Sequence, residues 1–429
     1  MSLSHYTRNI LNIKDENINF EENCLEIKKI NNKTIKVFHG KLTYTPEVCP
    51  NCGCLYESNP ETIIKYGFKK NCKIKTTRVG NFDTILLLDK QRFLCKYCNS
   101  TFTATTDFVD FHKQISNDTK NSVILDLMEK IPEKYISKKN NISSSSTNRI
   151  LDSISKDTLI KNNGKLPEVM GIDEFKATKD TISKMAFIIV DQNKSNIFDI
   201  NNSRLSTDIE KYFKRYSKTE RDKVKFITMD LYKAYYKLMH SLFKNAILIP
   251  DRFHIVIQAR NALDKTRIKL CYKSNPNYTK LKKYWKLILK DKRELNKTNK
   301  KYQKCFKKNM TQEEIVTYLI NTNDELYETY QIYQSILYSI DTRNKGIFLS
   351  IINGKNKKVS KYMKKAIRTF KDMEKYIVNS FDYEYSNGIV EGINNVIKQV
   401  KHSACGYRKF SHLKARIMLI KGLLNPINT

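Results

Sequence analysis

The sequence predicts a multidomain α/β protein with a cysteine-rich region near its N-terminus and a helical insertion in its largest domain. Three observations lead to this prediction. Short apolar runs alternate with amphipathic segments between residues 166 and 264, two Cys-x-x-Cys pairs precede that region, and a long Lys-rich stretch follows it. At 429 residues, the chain is long enough for two to four domains with substantial cores.

The two cysteine pairs mark the first predicted domain, within an N-terminal region of residues 1–110. The four predicted metal ligands are Cys49, Cys52, Cys95 and Cys98. Four thiolates complete the tetrahedral shell that Zn²⁺ prefers, so the spacing predicts a zinc ribbon over about residues 45–105 with a structural ion. Cys54 and Cys72 are further candidate ligands, and the alternative is a set of unrelated buried cysteines.

Residues 111–160 have the pattern of a helix-turn-helix domain. SNDTKNSVILDLMEKI places its apolar residues at helical spacing, and Pro132 ends that helix. EKYISKKNNISSSSTNRILDSIS then has the pattern of one helix, an Asn-rich turn and a second helix with a serine cap. The residues near the start of the second helix would enter the major groove of DNA; they are Ser145, Ser146, Asn148 and Arg149. The serine run could instead be a flexible linker. Residues 161–165 are predicted to form the hinge into the next domain.

The order of elements in residues 166–264 predicts an RNase H-like catalytic core, which residues 381–425 would complete. Three strands are expected first, in VMGIDEF, SKMAFIIVDQ and SNIFDINN. A helix, a strand, a helix, a last strand and a long helix follow, from STDIEKYFKRY to DRFHIVIQARNALDKTRIKL. This order places catalytic carboxylates on the first and fourth strands.

Two aspartates occupy those positions. Alternation along the first strand puts Asp173 on the opposite face from Glu174, and Asp173, which ends the apolar run, is the better candidate. Asp230 closes the fourth strand, whereas the competing Asp251 directly precedes a helix and is explained as its N-cap. A capping role for Asp230 remains the alternative.

The third candidate carboxylate is Glu391, on an amphipathic helix. The apolar side of this helix consists of Ile389, Val390, Ile393, Val396, Ile397 and Val400. The opposite side is a polar stripe that consists of Glu391, Asn395, Lys398 and His402. Such a stripe is usually solvated surface, but here a carboxylate is followed by basic residues, as expected where a metal ion meets phosphate. With Asp173 and Asp230, Glu391 would hold two Mg²⁺ ions.

The spacing of these carboxylates predicts an insertion over residues 265–380. Asp173 and Asp230 are 57 residues apart, but Glu391 follows Asp230 by 161 residues, which is too long for the core alone. Residues 271–310 carry thirteen Lys and one Arg against one Asp and one Glu. We interpret this charge first as a solvated helix face and Trp285 as a core residue. So basic an insertion would also follow a DNA backbone readily.

The net charge of the whole chain indicates a polyanionic partner. With 78 Lys and Arg against 44 Asp and Glu, the formal charge is +34. Such an excess favours nucleic acid through counterion release, and the basic segments are interleaved with Tyr and Phe. A basic protein without a nucleic-acid partner or a membrane-surface binder is the alternative. No signal peptide or membrane-spanning stretch is visible, so a cytoplasmic protein that joins the nucleoid when bound to DNA is expected.

Several segments resemble the ISL-three family of bacterial insertion-sequence transposases, which are DDE enzymes with an N-terminal zinc ribbon and helix-turn-helix. These segments are GIDEF, ITMD with LYKAYY, NAILIPDRFHIVIQARNAL and YSNGIVEGINNVIKQVKHSACGYRKFSHLKARIML. The resemblance extends from Cys49 to about Leu419, and the last segment is its most specific part. The family favours Arg at several positions where this chain has Lys or a neutral residue, such as Ala177 and Thr178.

The resemblance implies that Asp173, Asp230 and Glu391 are the catalytic triad, with Mg²⁺ or Mn²⁺ as cofactor and Zn²⁺ as a structural ion. It implies double-stranded DNA as the partner, both as element ends and as target, and at least a homodimer on DNA. Further DNA-binding candidates in the last segment are Lys398, Lys401, Arg408 and Arg416.

The expected reaction is metal-assisted hydrolysis of a strand at the element end, followed by attack of the freed 3′-OH on target DNA. No protein nucleophile is needed, so His254 and His402 receive no catalytic role. Two other functions remain open: a DNA-binding regulator without catalysis, and a non-transposing RNase H-like nuclease. The regulator leaves the three carboxylates unexplained, and the nuclease leaves the two end-binding modules unexplained.

Overall fold

The computed structural model describes residues 2–30, 32–58, 61–156, 164–354, 356, 358–404, 406–424 and 426. The chain forms two compact units: the first consists of Met1–Leu159 and Val396–Thr429, and the second of Ile160–Asn395. Most of the predicted hinge, residues 161–163, lies outside the described residues. In the described chain, no helix is both long and apolar enough to cross a membrane.

The first unit begins with helix α1 (Leu3–Ile10) and a six-stranded sheet. Its strands are β1 (Ile18–Asn19), β2 (Leu25–Ile30), β3 (Lys33–Leu42), β4 (Ile63–Val79), β5 (Phe82–Cys95) and β6 (Thr101–Thr103). The order is β1-β3-β5-β4, with β2 on β3 and β6 on β5. Strands β3 and β5 are parallel, and the other pairs are antiparallel. Gly80 has a φ of +65° at the tight turn between β4 and β5, where a glycine is favoured.

Three helices follow the sheet in the chain, as predicted for residues 111–160. They are α2 (Asn117–Leu127), α3 (Glu133–Lys139) and α4 (Ser144–Lys156). The serine cap is present, because the Ser143 hydroxyl accepts a hydrogen bond from the amide of Ser146 at 3.1 Å. Buried apolar residues of all three helices form one cluster; they include Val123, Leu127, Ile136, Ile150, Leu151 and Ile154.

The second unit contains the five-stranded mixed sheet that positions the candidate site. Its elements, in chain order, are β7 (Val169–Lys176), β8 (Met185–Asp191), β9 (Asn196–Asn201), α5 (Ser206–Phe213), α6 (Lys218–Arg221), β10 (Phe226–Met229), α7 (Lys233–Leu242), β11 (Ile247–Pro250) and α8 (Arg252–Lys269). The strand order is β11-β10-β7-β8-β9. Strand β10 is parallel to β7 and β11, and β8 is antiparallel to β7 and β9. The mixed α/β architecture is thus confirmed, with the elements in the predicted order.

The segment predicted as a helical insertion consists mainly of helices. Its elements are α9 (Tyr278–Lys283), α10 (Trp285–Ile288), β12 (Lys301–Gln303), β13 (Lys308–Met310), α11 (Gln312–Ile320), α12 (Asp324–Asp341), α13 (Lys345–Asn353), α14 (Lys361–Asp372), α15 (Glu374–Ile377) and α16 (Asn379–Asp382). A short 3₁₀ turn at Lys292–Glu294 precedes the β12–β13 hairpin. The buried residues of these helices continue the core of the sheet, and the half-buried Trp285 packs against it. This placement agrees with the interpretation of Trp285 as a core residue.

The last two helices are α17 (Gly388–Ser403) and α18 (Phe410–Ile420). Helix α17 starts in the second unit, and its residues from Val396 onward belong to the first. Ala415 and Leu419 of α18 lie in the apolar cluster of α2, α3 and α4. The segment assigned from sequence to the catalytic core, residues 381–425, is therefore divided between the two units.

Candidate active site

Asp173 lies on β7, and Asp230 directly follows β10, which is parallel to β7. Strand β10 pairs with β7 so that Thr228 is opposite Gly171, and the same register, continued by two residues, places Asp230 opposite Asp173. Side chains two residues apart on a strand share a face, so both carboxylates face the same side of the sheet. The sheet therefore brings together the two aspartates that were selected from the sequence.

The carboxylate of Asp173 is held by one backbone and one side-chain donor. Its Oδ1 accepts a hydrogen bond from the amide of Glu174 at 2.7 Å, and its Oδ2 accepts one from Nδ2 of Asn394 at 2.6 Å. Asn394 belongs to α17, so this bond joins the helix of Glu391 to the first strand. Burial raises the pKa of the Asp173 carboxyl above its ordinary value.

Asp230, Asp251 and His254 form a compact group in which one ligand atom of each lies within 4.8 Å of the others. The ring of His254 lies between the two carboxylates, with Nε2 at 3.1 Å from Oδ2 of Asp230 and Nδ1 at 3.1 Å from Oδ2 of Asp251. Asp251 also caps α8, since its Oδ1 accepts a hydrogen bond from the amide of Phe253 at 3.3 Å. The predicted cap is therefore present, and the same carboxylate has a second set of contacts at the site.

The surroundings of Asp230 suit a ligand of a divalent cation. Burial, followed by the negative charge of Asp173, raises the pKa of Asp230 to about 7. Its Oδ1 is buried and has no hydrogen-bond partner among the described residues. A divalent cation would satisfy that oxygen and offset the repulsion between the carboxylates, and Mg²⁺ and Mn²⁺ prefer such oxygen ligands. The residues present thus fit a divalent metal ion.

Glu391 is in the first turn of α17, exposed to solvent, three residues before Asn394. Residues three apart on a helix are neighbours on its surface, so Glu391 lies on the side of α17 that contacts Asp173. Within the described part of the chain, Asp173, Asp230 and Glu391 do not all come within 4.8 Å of one another. The rest of the predicted polar stripe is exposed as expected, at Asn395, Lys398 and His402.

Glu174, the rejected neighbour of Asp173, is engaged elsewhere. Its Oε2 accepts a hydrogen bond from Nη1 of Arg204 at 2.8 Å, and its Oε1 accepts one from the hydroxyl of Tyr235. The Tyr235 hydroxyl also lies 3.0 Å from the carbonyl oxygen of Arg204. Glu174 therefore has its own cationic partner, which supports the choice of Asp173.

The four predicted zinc ligands come together in the first unit. The Sγ atoms of Cys49 and Cys98 are 3.7 Å apart, those of Cys52 and Cys95 are 3.8 Å apart, and all four lie within 4.8 Å of one another. Zn–S bonds of about 2.3 Å in a tetrahedron give such sulfur separations. Cys54 and Cys72 are outside this group. The cluster could hold Zn²⁺ with the four cysteines chosen from the sequence.

The predicted DNA-binding residues differ in their exposure. Ser145, Asn148 and Arg149 are exposed on α4, and Ser146 is half-buried with its hydroxyl 2.9 Å from that of Ser143.

In the C-terminal segment, Lys398 and Arg408 are exposed, and Lys401 is half-buried. Arg416 is fully buried, and its Nη2 donates to the carbonyl oxygens of Glu129 and Ile131 at 2.9 and 2.6 Å. Because its guanidinium is buried against the residues that follow α2, Arg416 is not available for direct contact with DNA in this structure, contrary to the prediction.

Two residues of the site were not predicted from the sequence. His254 was given no catalytic role, and Asn394 was not among the candidates on the amphipathic helix. The signal for His254 was available, because an Asp-x-x-His spacing in the first turn of a helix that follows a strand places both side chains at the strand end. Asn394 gave no such signal, since its buried contact with Asp173 depends on tertiary packing.

Residues 170–417 match the model of the ISL-three family, which is described as a transposase family of DDE type. A stretch of 127 residues is 35% identical to a protein named "ATP-dependent protease" from Lactococcus lactis subsp. lactis. That match covers 29% of this chain and 41% of the Lactococcus protein.

Proposed function

Because this chain belongs to the ISL-three family of DDE transposases, we propose that it cuts DNA at the ends of an insertion sequence and joins the freed ends to target DNA. The match to the family covers the sheet, the insertion and α17, and the family implies DNA as a partner. The activity named for the Lactococcus protein is not extended to this chain, because less than half of that protein is covered.

The observation that carries the proposal is the pair of carboxylates on adjacent parallel strands, with the helix of Glu391 hydrogen-bonded to one of them. Asp173 and Asp230 would hold one divalent ion, and Glu391 would complete the site from α17. This arrangement supports an RNase H-like core. Divalent ions held there would lower the pKa of the attacking water and stabilise the charge that develops on the leaving 3′ oxygen.

Neighbouring side chains hold the two aspartates in position. Asn394 holds Asp173 by one oxygen. His254 holds Asp230 and is itself oriented by Asp251. No side chain is required as a nucleophile.

The first unit supplies the proposed DNA contacts. Helices α3 and α4 would act as a helix-turn-helix that reads the terminal inverted repeats, with Asn148 and Arg149 exposed at the start of α4. The cysteine cluster would hold Zn²⁺ and stabilise the sheet between β5 and β6. Pairing of two element ends requires two copies of the active site, so we propose a dimer on DNA.

The decisive experiment uses the full chain and DNA that carries the native flanks of its gene. Asp173→Asn, Asp230→Asn and Glu391→Gln should each abolish Mg²⁺-dependent cleavage, a loss of about 1,000-fold or more, while binding of the flanks stays within about threefold. Glu210→Gln, which removes a half-buried carboxylate of α5 that pairs with Lys214, is the control and should cleave like wild type.

The outcomes separate the competing functions. Cleavage retained by any one of the three variants would remove that residue from the active site. Binding without cleavage by the wild-type protein would favour a regulator. Cleavage that does not depend on the inverted repeats, with no joining to target DNA, would favour a nuclease.

A further inference from the structure

Three polar side chains are buried between the sheet and the start of α17. They are Gln192, Thr228 and Asn387, with 7%, 0% and 4% of their surfaces exposed. All three lie in the second unit, and none belongs to the carboxylate group described above. Buried polar groups are costly unless they are paired, so their partners indicate why they are present.

The three side chains form a directed chain of hydrogen bonds. Nε2 of Gln192 donates to Oγ1 of Thr228 at 2.6 Å, and Oγ1 of Thr228 donates to Oδ1 of Asn387 at 2.8 Å. Nδ2 of Asn387 donates to the carbonyl oxygen of Ile172 at 3.3 Å, and Gln192 also donates to that of Ser386 at 3.0 Å. The chain therefore joins strands β7 and β10 to the residues that lead into α17.

Each end of this chain lies close in sequence to a candidate metal ligand. Ile172 directly precedes Asp173, and Thr228 lies two residues before Asp230 on the same face of β10. The carbonyl oxygen of Asn387 accepts the hydrogen bond from the amide of Glu391 at 2.9 Å. A single buried network thus contacts the carbonyl group before Asp173, includes Thr228 two residues before Asp230, and includes Asn387, whose carbonyl oxygen bonds the amide of Glu391.

The packing around the network leaves little freedom for α17. A Cβ atom added at Gly171 would lie 2.4 Å from Cγ2 of Val390 and 2.9 Å from Nε2 of Gln192. Only glycine at this position allows the first turn of α17 to approach β7 so closely. The height of the helix above the sheet is therefore set by direct contact.

Attachment alone does not require these polar groups. The segment before α17 already packs by its aromatic rings, since Phe226 lies 5.1 Å from Tyr383 and 4.7 Å from Tyr385 between ring centroids. Apolar contact holds a segment in place but tolerates sliding and rotation, whereas hydrogen bonds have fixed lengths and directions. The network therefore fixes the orientation of α17 at an interface that aromatic packing already holds together.

We propose that Gln192, Thr228 and Asn387 are positioning residues that fix the first turn of α17, and so Glu391, relative to Asp173 and Asp230. This inference rests on the proposed function for its catalytic consequence, but not for its structural content. If the positioning role is correct, the metal affinity of the site depends on the hydroxyl group of Thr228, which among the described residues bonds only within the network.

The test compares Thr228→Val, which keeps the shape but removes the hydroxyl, with Thr228→Ser, which keeps the hydroxyl. Thr228→Val should lower the single-turnover cleavage rate by about 100-fold and raise the half-saturating Mg²⁺ concentration by about tenfold. Thr228→Ser should stay within about threefold of wild type in both. Thr266→Val is the matched control, because Thr266 is equally buried and its hydroxyl donates to the carbonyl oxygen of Ala262 on α8 and to the hydroxyl of Ser360, outside the network.

A second readout is independent of cleavage. Mn²⁺ binding to the full chain, followed by electron paramagnetic resonance, should weaken by about tenfold in Thr228→Val and in Glu391→Gln, with no further loss in the double variant. If wild type binds Mn²⁺ in this way but does not cleave DNA, the proposed function fails and the positioning role stands.

The inference is overturned if Thr228→Val matches Thr266→Val in Mg²⁺ dependence and in Mn²⁺ affinity, so that the hydroxyl contributes to stability alone. Should Thr228→Val not fold, Gly171→Ala displaces α17 without removing a hydrogen-bonding group and should show the same two losses. Wild-type behaviour of Gly171→Ala would overturn the inference equally.

Discussion

Asp230 has a carboxyl group whose ionisation works against folding. Its pKa is raised to about 7 from an ordinary value of 3.8, first by burial and then by the charge of Asp173. Between these two values the native protein keeps a proton that the unfolded chain has released. The stability contributed by the protonated group is therefore present at low pH and decreases as pH rises through this window. An aspartate at this position therefore lowers the stability of the folded protein at neutral pH, as is common for residues of functional sites.

Replacement of Asp230 should consequently stabilise the metal-free protein. We expect Asp230→Asn to raise the thermal midpoint by about 2–4 °C at pH 8 in the presence of a chelator, because the amide carries no charge. The gain should disappear near pH 4, where Asp230 is protonated in the native wild-type protein. Thermal unfolding followed by circular dichroism measures this, with Glu210→Gln as the control. A lower thermal midpoint for Asp230→Asn than for wild type at pH 8 would contradict the raised pKa of Asp230.

His254 offers a second prediction at the same scale. Its hydrogen bond to Asp251 raises the pKa of the ring, and its other nitrogen lies 3.1 Å from Asp230. His254→Ala would remove the ring that contacts Asp230, so cleavage should fall by about 10- to 100-fold while binding of DNA ends is unchanged. The exposed His240 on α7 provides the control, His240→Ala. Cleavage by His254→Ala at the wild-type rate would show that the ring does not act in the reaction.

At the scale of elements, the sequence was sufficient wherever a local pattern determines the structure. The strands before Asp173 and Asp230 were predictable because each is a short apolar run that ends at a carboxylate, and α8 because Asp251 caps it. The cysteine group was predictable because its pairs have the spacing of zinc knuckles. These features depend on neighbours in the chain.

Contacts between distant segments were not predictable from such patterns. Helix α18 packs its Ala415 and Leu419 against helices that lie more than 250 residues earlier, and amphipathic periodicity does not name the partner of a helix. Arg416 was a candidate for DNA contact, and its burial was not predictable because Arg is rarely fully buried. The bond from Asn394 to Asp173 and the network around Thr228 depend on the same kind of distant packing.

The cysteine cluster leads to a prediction for the strands on either side of it. Cys98→Ser should reduce bound Zn²⁺ from about one ion per chain to near zero and destabilise the β5–β6 edge. Cys72 is half-buried outside the cluster, so Cys72→Ser should retain the ion. Metal content measured by mass spectrometry on purified protein distinguishes the two. Full zinc content in Cys98→Ser would remove Cys98 from the ligand set.

Helix α4 can be tested as the proposed reader of the element ends. Arg149→Ala should weaken binding to the native flanks by about 1–3 kcal/mol and reduce the preference for them over unrelated DNA. Lys156→Ala, at the exposed C-terminal end of the same helix, should affect both DNAs equally and only slightly. A gel-shift titration with both DNAs measures the two effects. Equal losses on the two DNAs for Arg149→Ala would mean that it contacts phosphate and not a base.

For the whole molecule, the excess of positive charge decides how tightly DNA is held and how strongly salt weakens it. The β12–β13 hairpin and its turn carry four exposed lysines without a carboxylate within 4 Å among the described residues: Lys301, Lys304, Lys307 and Lys308.

If DNA follows this surface, replacing all four by Gln should lower the slope of log K against log salt by about three to four units. As a control for net charge, Gln at Lys211, Lys214, Lys218 and Lys223 removes four exposed lysines from α5, α6 and the residues that follow them, of which Lys214 and Lys223 are paired with carboxylates. Both variants have a formal charge of 34 − 4 = +30, so a general effect of net charge would change both slopes alike. Titrations of unrelated duplex DNA at several salt concentrations measure these slopes. A reduced slope only in the hairpin variant would place DNA on the insertion, and equal slopes would leave its lysines as a solvated face.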